Sequence, residues 1–202
     1  MSIHYTIFDT PVLKTMLYRA ALIYMKIFRW KRGGAPPSFP KYVMIAAPHT
    51  SNWDLVITLI LAFAYQINVC WVGKHTIFRP PFGSLFRWLG GIPVDRRQAG
   101  DTVAQSVQAF HKHERLIMIV PPEGTRKKVR YWKTGFYYIA HGAGVPIVLG
   151  YVDYARKIGG FGPAIKPTGD IHADMNIIKD FYKNIEGKHG NQWSSEGIII
   201  KK

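Results

Sequence analysis

The sequence lacks the features that mark several common classes of protein. Its single cysteine, Cys70, excludes an internal disulfide and a metal site built from several cysteines, and the apolar run around it suits a buried position. The longest clean apolar run near the N-terminus, Ala20 to Met25, is far shorter than the roughly 20 residues of a membrane-spanning helix. No signal-peptide cleavage site, HExxH motif, Walker loop or G-x-S-x-G motif is present.

Acidic residues are also scarce. The 202 residues include 12 acidic and 27 basic side chains, which gives a formal net charge of +15. Such a charge predicts an anionic partner: a lipid surface, a phosphorylated substrate, an acidic carrier protein or nucleic acid. Because no basic-aromatic motif of a nucleic-acid-binding module is present, we do not expect nucleic acid as a partner. The length and the 48% of hydrophobic residues suit a domain with a full core.

The N-terminal part, residues 1–40, is predicted to be a helix and linker attached to a main domain at residues 41–202. Residues 1–10 are expected to be loosely ordered, and Pro11 suits the first position of a helix. This helix and the residues just after it carry six cations and no acidic side chain. That composition favours an amphipathic helix lying in the headgroup layer of an anionic membrane, although an ordinary helix packed on the domain has a similar pattern. Gly33 to Pro40 is predicted to be the linker.

Apolar runs of strand length alternate with helical patterns along the main domain. Strands are predicted at residues 42–47, 68–73, 90–97, 115–120, 145–152 and near 164–166, and helices at residues 53–67, 101–113, 134–141 and 174–188. A short apolar end is predicted at residues 198–200. This alternation predicts an α/β fold with a mainly parallel central sheet flanked by helices. Asp101 is predicted to cap its helix. In such folds ligands bind where the strands end, at their carboxyl edge.

The turn after the first of these strands carries the main candidate site. His49 follows the strand, Ser51 is the predicted N-cap of the next helix, and Asp54 would complete a capping box. A carboxylate folded back onto the imidazole would fix its tautomer and leave the other ring nitrogen free to accept a proton. On the local sequence alone, a helix-capping aspartate and an ordinary loop histidine explain the pattern equally well.

Three further blocks follow this His-x4-Asp pair in order. They are KHTIFRPPFGSLFRWLGGIPVDR at Lys74–Arg96, PEGTR at Pro122–Arg126, and VPIV at Val145–Val148. With His49 and Asp54, they resemble the four blocks of the glycerolipid (lysophospholipid) acyltransferase family, and the resemblance covers most of the main domain.

Three positions next to these blocks differ from the residues usual in that family. Pro48 precedes the histidine, Pro121 precedes the PEGTR run and Lys127 follows it. The positions that the family uses for catalysis are all present.

The resemblance implies transfer of a fatty acyl group from acyl-CoA or acyl-carrier protein to a hydroxyl of lysophosphatidic acid or a related lysolipid. It implies that His49 is the general base and that Asp54 orients it, with no metal and no cofactor beyond the acyl thioester. The residues expected to bind the acceptor and its phosphate are Lys74, Arg96, Glu123, Gly124, Thr125 and Arg126.

Within that set, Arg96 and Arg126 are expected to clamp the phosphate. Glu123 is expected to hold an arginine or to bind the glycerol oxygens of the acceptor. Gly124 is expected to be exposed, so that backbone amides can approach the ligand.

The aromatic residues of the second block are candidates for an acyl-chain groove, and core packing explains each of them equally well. They are Phe78, Phe82, Phe86 and Trp88. The location expected for such a protein is peripheral, on the cytoplasmic face of the bacterial inner membrane. Two alternatives stay open: acylation of another lipid acceptor, such as an amino-acid lipid or a glycolipid, and a lipid-binding domain without turnover.

Overall fold

The computed structural model describes residues 5–94 and 99–192, and its helices and strands all lie within those ranges. The α-helices are α1 (Pro11–Ile27), α2 (Trp53–Ala64), α3 (Gly83–Trp88), α4 (Ala99–Lys112), α5 (Gly135–Ala143) and α6 (Ile171–Tyr182). The strands are β1 (Lys31–Gly33), β2 (Lys41–Ala47), β3 (Cys70–Lys74), β4 (Gly91–Val94), β5 (Leu116–Val120), β6 (Ile147–Asp153) and β7 (Ile158–Ile165). Short 3-10 turns occur at Ile7–Asp9, His75–Phe78 and Gly190–Gln192.

These strands form one sheet in the order β1-β7-β6-β2-β5-β3-β4. The five strands from β6 to β4 are mutually parallel, whereas β7 pairs antiparallel with β6, and β1 lies parallel to β7. The predicted α/β fold with a mainly parallel sheet is confirmed. Strand β2 lies in the middle of the sheet, between β5 and β6, so the turn that follows it sits at the centre of the carboxyl edge.

Successive side chains of β2 point to opposite faces of the sheet. Val43 and Ile45 are buried in a core that includes residues of α4, α5 and α6. Tyr42 and Met44 are buried on the other face, in a core that includes residues of α1 and α2. Since helices cover both faces, β2 reads as a continuous apolar run. Cys70 is a free, buried thiol in the first of these cores, in line with its sequence context.

The N-terminal residues pack more closely than predicted. Ile7 and Phe8 are buried, and the ring of Phe8 lies 4.8 Å from that of Phe63 on α2. The prediction of loose order is therefore wrong for residues 5–10, because their apolar side chains complete the core on this face of the sheet. Helix α1 starts at Pro11, as predicted.

Helix α1 and strand β1 both join the main domain. Ala21 and Met25 are the buried residues of α1, and they belong to the same core as α2. Strand β1 pairs with β7 through three residues, so Gly33, predicted to open the linker, is part of the sheet. No helix of the described residues is long and apolar enough to cross a membrane.

Two helices begin earlier than predicted. Helix α4 starts at Ala99, which places Asp101 in its first turn rather than at its N-cap. Helix α6 starts at Ile171 because Asp170 caps it, accepting hydrogen bonds from the amides of His172 and Ala173. The helix predicted across residues 174–188 is therefore shifted. The strand predicted near residues 164–166 is the end of the longer β7. An apolar end predicted at residues 198–200 lies outside the described residues.

Candidate active site

His49 and Asp54 lie together at the carboxyl end of the central strand. His49 follows β2 after Pro48, and Asp54 lies in the first turn of α2. The Nδ1 atom of His49 is 3.1 Å from Oδ2 of Asp54. With a proton on Nδ1, the ring donates to the carboxylate and Nε2 is left as an acceptor. Within the described part of the chain, no hydrogen bond to Nε2 is found.

The carboxylate of Asp54 is almost fully buried, at 6% exposure, and is held by several donors. Its Oδ2 atom also accepts hydrogen bonds from the amides of Thr50 and Ser51, each at 2.8 Å. These bonds offset the cost of removing a charge from water. Only this half of the predicted capping box forms, because the Ser51 hydroxyl accepts from the amide of Trp53 instead of that of Asp54. Asn52, rather than Ser51, precedes the helix as its N-cap.

The second oxygen of Asp54 is bound by a residue distant in sequence. The Tyr154 hydroxyl donates to Oδ1 of Asp54 across 2.8 Å. Sequence reasoning missed Tyr154, although its position directly after β6, which neighbours β2, is a signal that could have revealed it.

Glu123 is buried and bonded to the turn that carries His49 and Asp54, the dyad. Its side chain is only 5% exposed, and its Oε1 atom accepts a hydrogen bond from the amide of His49 at 2.9 Å. Burial raises the pKa of Glu123 to about 7. The carboxylate that was expected to hold an arginine or the glycerol oxygens thus lies in the protein interior, where it ties the PEGTR loop to the turn that carries the dyad.

Gly124 is also buried, not exposed as expected. It has a left-handed backbone with φ of 63°, a conformation that favours glycine. A Cβ atom built on it would lie 3.1 Å from Cε of Lys133. The glycine therefore allows the loop to turn beneath Lys133 while its backbone still lines the cavity next to His49.

A cavity of about 850 Å³ extends from His49 into the space between the sheet and α2. Its lining is mainly apolar and reaches as far as β7, with side chains that include Met44, Leu55, Leu61, Ala62, Trp71 and Phe161. His49 lines this space together with the apolar side chains, so the imidazole and the apolar wall belong to one compartment.

Two of the four predicted groove aromatics line this cavity. Phe82 and Phe86 contribute to its wall. Phe78 is instead buried in the core, stacked on Trp71 with 5.7 Å between ring centroids. Trp88 is half-buried and packs against the same core, away from the cavity wall. Core packing, the alternative to a groove, therefore holds for Phe78 and Trp88. The ring of Phe78 packs inward beside Trp71 because Gly73 and Gly91 leave room for it.

Cationic side chains stand at the exposed end of the cavity. Lys74, Thr125 and Arg126 line it, and each side chain is exposed. Arg79 lines it too, although sequence reasoning did not single it out; its place just before Pro80 in the second block was the available signal. Arg96, the other half of the predicted arginine clamp, lies outside the described residues.

A family model described as "Acyltransferase" matches residues 37–149, which is more than half of the chain. The chain belongs to the acyltransferase family. The match runs from before β2 to the first residues of β6 and includes the dyad and the PEGTR loop. The cavity extends beyond the matched segment, because residues of β6 and β7 such as Tyr151 and Phe161 also line it.

Curated relatives carry the same family name. The chain is 36% identical over 109 residues to the 1-acyl-sn-glycerol-3-phosphate acyltransferase of Salmonella typhimurium, and 35% identical over 109 residues to that of Escherichia coli. The corresponding protein of Haemophilus influenzae is 32% identical over 107 residues. Each match covers 50% of this acyltransferase and 43% of the relative, so it spans less than half the length of the curated relatives.

The fold has a counterpart among solved structures. The crystal structure of the 1-acyl-sn-glycerophosphate (LPA) acyltransferase PlsC from Thermotoga maritima matches with a TM-score of 0.57 at 13% sequence identity. The match covers 84% of this acyltransferase and 76% of the PlsC chain. At that identity the likeness concerns the fold, which extends well beyond the segment matched by sequence.

Proposed function

We propose that this protein transfers a fatty acyl group from an acyl thioester to a hydroxyl of lysophosphatidic acid or a related lysolipid. The observation that carries the proposal is the position of the His49 and Asp54 pair at one end of an apolar cavity, beside exposed cations. The apolar cavity suits a long acyl chain, the imidazole suits a reacting hydroxyl, and the cations suit a phosphate. The names of the curated relatives support the same reaction.

In the proposed reaction His49 acts as general base. Its Nε2 takes the proton of the acceptor hydroxyl while the hydroxyl oxygen attacks the thioester carbonyl carbon. Asp54 holds Nδ1 and stabilises the imidazolium that forms. When the tetrahedral intermediate collapses, the carbon–sulfur bond breaks and the imidazolium returns its proton to the leaving thiolate. The products are an ester and a free thiol, and such a base contributes about 10²–10⁴ in rate.

The cations at the exposed end suit the phosphate of the acceptor. A guanidinium can bind two phosphate oxygens at once, which supports Arg126 as the phosphate ligand, with Lys74 and Arg79 adding charge. Arg96 completes the proposed clamp on the basis of its place in the second block. Thr125 offers a hydroxyl beside them, and Gly124 lines the same wall.

The apolar part of the cavity suits the acyl chain of the donor. Its volume of about 850 Å³ lies within the range of small-molecule sites, roughly 300–1,000 Å³. Acyl-CoA and acyl-carrier protein both supply a thioester with an anionic carrier, and the net charge of +15 suits either donor.

Helix α1 is proposed to hold the protein at an anionic membrane, on the cytoplasmic face of the bacterial inner membrane. Val12, Met16, Ile23 and Ile27 are between 59% and 75% exposed. At roughly 100° per residue they fall within about 60° of one another around the helix. We call these four residues the α1 apolar stripe. Arg19 and Lys26 lie along one edge of it, where their cations suit anionic headgroups next to a helix lying in that layer.

The decisive experiment measures thiol release and new ester from a labelled acyl thioester and lysophosphatidic acid, comparing wild type with His49→Ala and Asp54→Asn. Both variants are expected to lose about 10²–10⁴ in kcat. His111→Ala, which changes an exposed histidine on α4, serves as the control and should keep wild-type turnover.

A panel of lysolipids, amino-acid lipids and glycolipids, read by mass spectrometry, identifies the acceptor. Wild-type thiol release no faster than that of His49→Ala across the whole panel would remove the enzymatic proposal. Vesicle binding that persists in that case would favour the lipid-binding domain without turnover.

A further inference from the structure

The two oxygens of Asp54 have different partners. Oδ2 receives His49 Nδ1 together with the amides of Thr50 and Ser51. Among the described residues, the hydrogen-bond donor found at Oδ1 is the hydroxyl of Tyr154, at 2.8 Å. The tyrosine therefore binds the one carboxylate oxygen that the catalytic turn leaves open.

Tyr154 is itself fixed from two directions. Its amide donates to the carbonyl oxygen of Glu186 across 3.0 Å. Its ring meets that of Trp30 edge to face, with centroids 5.3 Å apart and an angle of 86° between the planes. Trp30, Tyr154 and Glu186 all lie outside residues 37–149, so this support comes from parts of the chain that the family model does not cover.

We propose that Tyr154 is a positioning residue for the acyl-transfer reaction: its hydroxyl fixes the rotation of the Asp54 carboxylate, so that Oδ2 stays on His49 Nδ1. This inference rests on the proposed function of the dyad and adds a residue to it. The terminal torsion of an aspartate is broad, and the amides of Thr50 and Ser51 hold only Oδ2. Without a partner at Oδ1 the carboxylate plane can therefore still tilt about that oxygen, relative to the imidazole. A bond from a rigid ring on the neighbouring strand end removes that freedom.

The hydroxyl is suited to act as a permanent donor. Burial, followed by the charge of Asp54 and the hydrogen bond to it, raises the pKa of Tyr154 far above its ordinary range. The phenol therefore stays protonated wherever the enzyme is assayed. The orientation of the general base would then depend on a contact made 100 residues further along the chain.

A second hydrogen bond between a tyrosine and a buried aspartate provides a control. It separates an effect on the orientation of the dyad from a general loss of stability. The hydroxyl of Tyr137 on α5 donates to Oδ2 of the buried Asp174 on α6, also at 2.8 Å. Like Tyr154, it is a tyrosine bound to a buried carboxylate, but it lies on the opposite face of the sheet, in the core that includes α4 to α6. The Tyr137 hydroxyl also accepts from the amide of Gly169 at 3.0 Å, so Tyr137→Phe removes at least as much hydrogen bonding, with no link to the dyad.

The experiment compares Tyr154→Phe with Tyr137→Phe in the full chain, using an acyl thioester and lysophosphatidic acid. Tyr154→Phe is expected to lower kcat about 10-fold to 100-fold, the usual effect of losing a group that orients a reactive side chain, with KM for both substrates within about twofold of wild type. Both variants are expected to lower the melting temperature, Tyr137→Phe by at least as much as Tyr154→Phe. Tyr137→Phe is expected to leave kcat unchanged. The resonance of the His49 Nδ1 proton should shift in Tyr154→Phe and stay in place in Tyr137→Phe.

Further variants distinguish a failure of the positioning role of Tyr154 from a failure of the proposed function. In an Asp54→Asn background, Tyr154→Phe should cause no additional loss, because the carboxylate it orients is gone. Wild-type kcat in a folded Tyr154→Phe, or an equal loss in Tyr137→Phe, would overturn the positioning role while leaving the function of His49 intact. Wild-type turnover by His49→Ala would instead overturn the proposed function. Should Tyr154→Phe fail to fold, Trp30→Leu takes its place: a kcat about threefold lower supports the role, and an unchanged kcat overturns it.

Discussion

The amide of His49 donates to Oε1 of Glu123 across 2.9 Å, so the PEGTR loop and the turn that carries the dyad are directly bonded to each other. The two segments are 74 residues apart in sequence. Strands β2 and β5 bring them together, since they pair in parallel and both segments follow their carboxyl ends. The carboxylate of the motif thus holds the backbone of the histidine, and Thr125 and Arg126 of the same motif line the cavity.

Glu123 makes stability depend on pH in a definite direction. Its pKa is raised from 4.5 to about 7 by burial, so the folded protein holds a proton that the unfolded chain releases at lower pH. Stability is therefore expected to fall as the pH rises from about 4.5 to about 7, by on the order of 3 kcal/mol from this group. Glu123→Gln keeps an acceptor for the His49 amide and should lose this dependence.

Urea unfolding of wild type and Glu123→Gln at pH 5 and pH 8 measures the effect, with Glu114→Gln as the exposed control. The free energy of unfolding of the wild type should be higher at pH 5 than at pH 8. This difference between the two pH values should shrink in Glu123→Gln and stay the same in Glu114→Gln. An equal pH dependence in all three proteins would contradict the burial of this carboxyl group.

Arg126 is expected to bind the phosphate of the acceptor. Arg126→Ala should raise KM for lysophosphatidic acid about 10-fold to 100-fold, the effect of losing hydrogen bonds to a charged group. Arg126→Lys should recover only part of it, because a lysine cannot bind two phosphate oxygens in a fork. Initial rates over a range of acceptor concentrations measure the change. Arg130→Ala is the control, since Arg130 lies over the ring of Tyr131 rather than in the cavity wall; an equal effect there would indicate general charge attraction.

Ala62 offers a way to shorten the apolar cavity. It is buried on α2 and lines the cavity, so Ala62→Leu adds three carbons to the wall. Turnover with long-chain thioesters should fall about 10-fold or more relative to medium-chain ones, because each excluded methylene costs about 1–3 kcal/mol. Competition between thioesters of different length in one reaction gives the ratio directly. Ala104→Leu, on the exposed face of α4, should leave the ratio unchanged; a loss independent of chain length would place the acyl chain elsewhere.

The α1 apolar stripe can be tested without altering the cavity. The double variant Ile23→Glu, Ile27→Glu should weaken binding to vesicles of anionic phospholipid by at least about 100-fold, since burying each isoleucine contributes roughly 1.5–3 kcal/mol. Cosedimentation measures the binding. Turnover with substrates in detergent micelles should be retained. Ile177→Glu changes an isoleucine that is 53% exposed on α6 and should have no effect on vesicle binding. Similar losses from Ile177→Glu would show that the charge change alone is responsible.

The sequence predicted best what is local or periodic. The run from β2 through Pro48 to α2 is recognisable because an apolar strand, a turn and an apolar helix follow one another directly, and the contact between His49 and Asp54 spans only five residues. The edge rule for parallel strands then placed the PEGTR loop beside them. Burial is harder to read, because an exposed and a buried glutamate look the same in a loop, and so Glu123 was assigned to the ligand.

The failures share a physical cause, which is that they depend on contacts between distant segments. Strand β1 consists of Lys31, Arg32 and Gly33, which show no strand pattern and form one only because β7 lies beside them. Strand β7 contains three glycines, which hide its alternation. The hydrogen bond from Tyr154 to Asp54 joins residues that are 100 positions apart in sequence, and no local pattern predicts it.

The placement of β1 has a consequence for any shortened version of the chain. Strand β1 borders β7 at one margin of the sheet, and the hydroxyl of Tyr65 donates to the carbonyl oxygens of Gly33 and Gly34 just beyond it. A fragment beginning at residue 41 would keep the whole catalytic turn but would leave the backbone amides and carbonyls of β7 open to solvent along that side. Such an open margin invites pairing with another molecule. The fragment is therefore expected to self-associate, so the N-terminal segment protects this margin of the sheet in addition to its proposed role at the membrane.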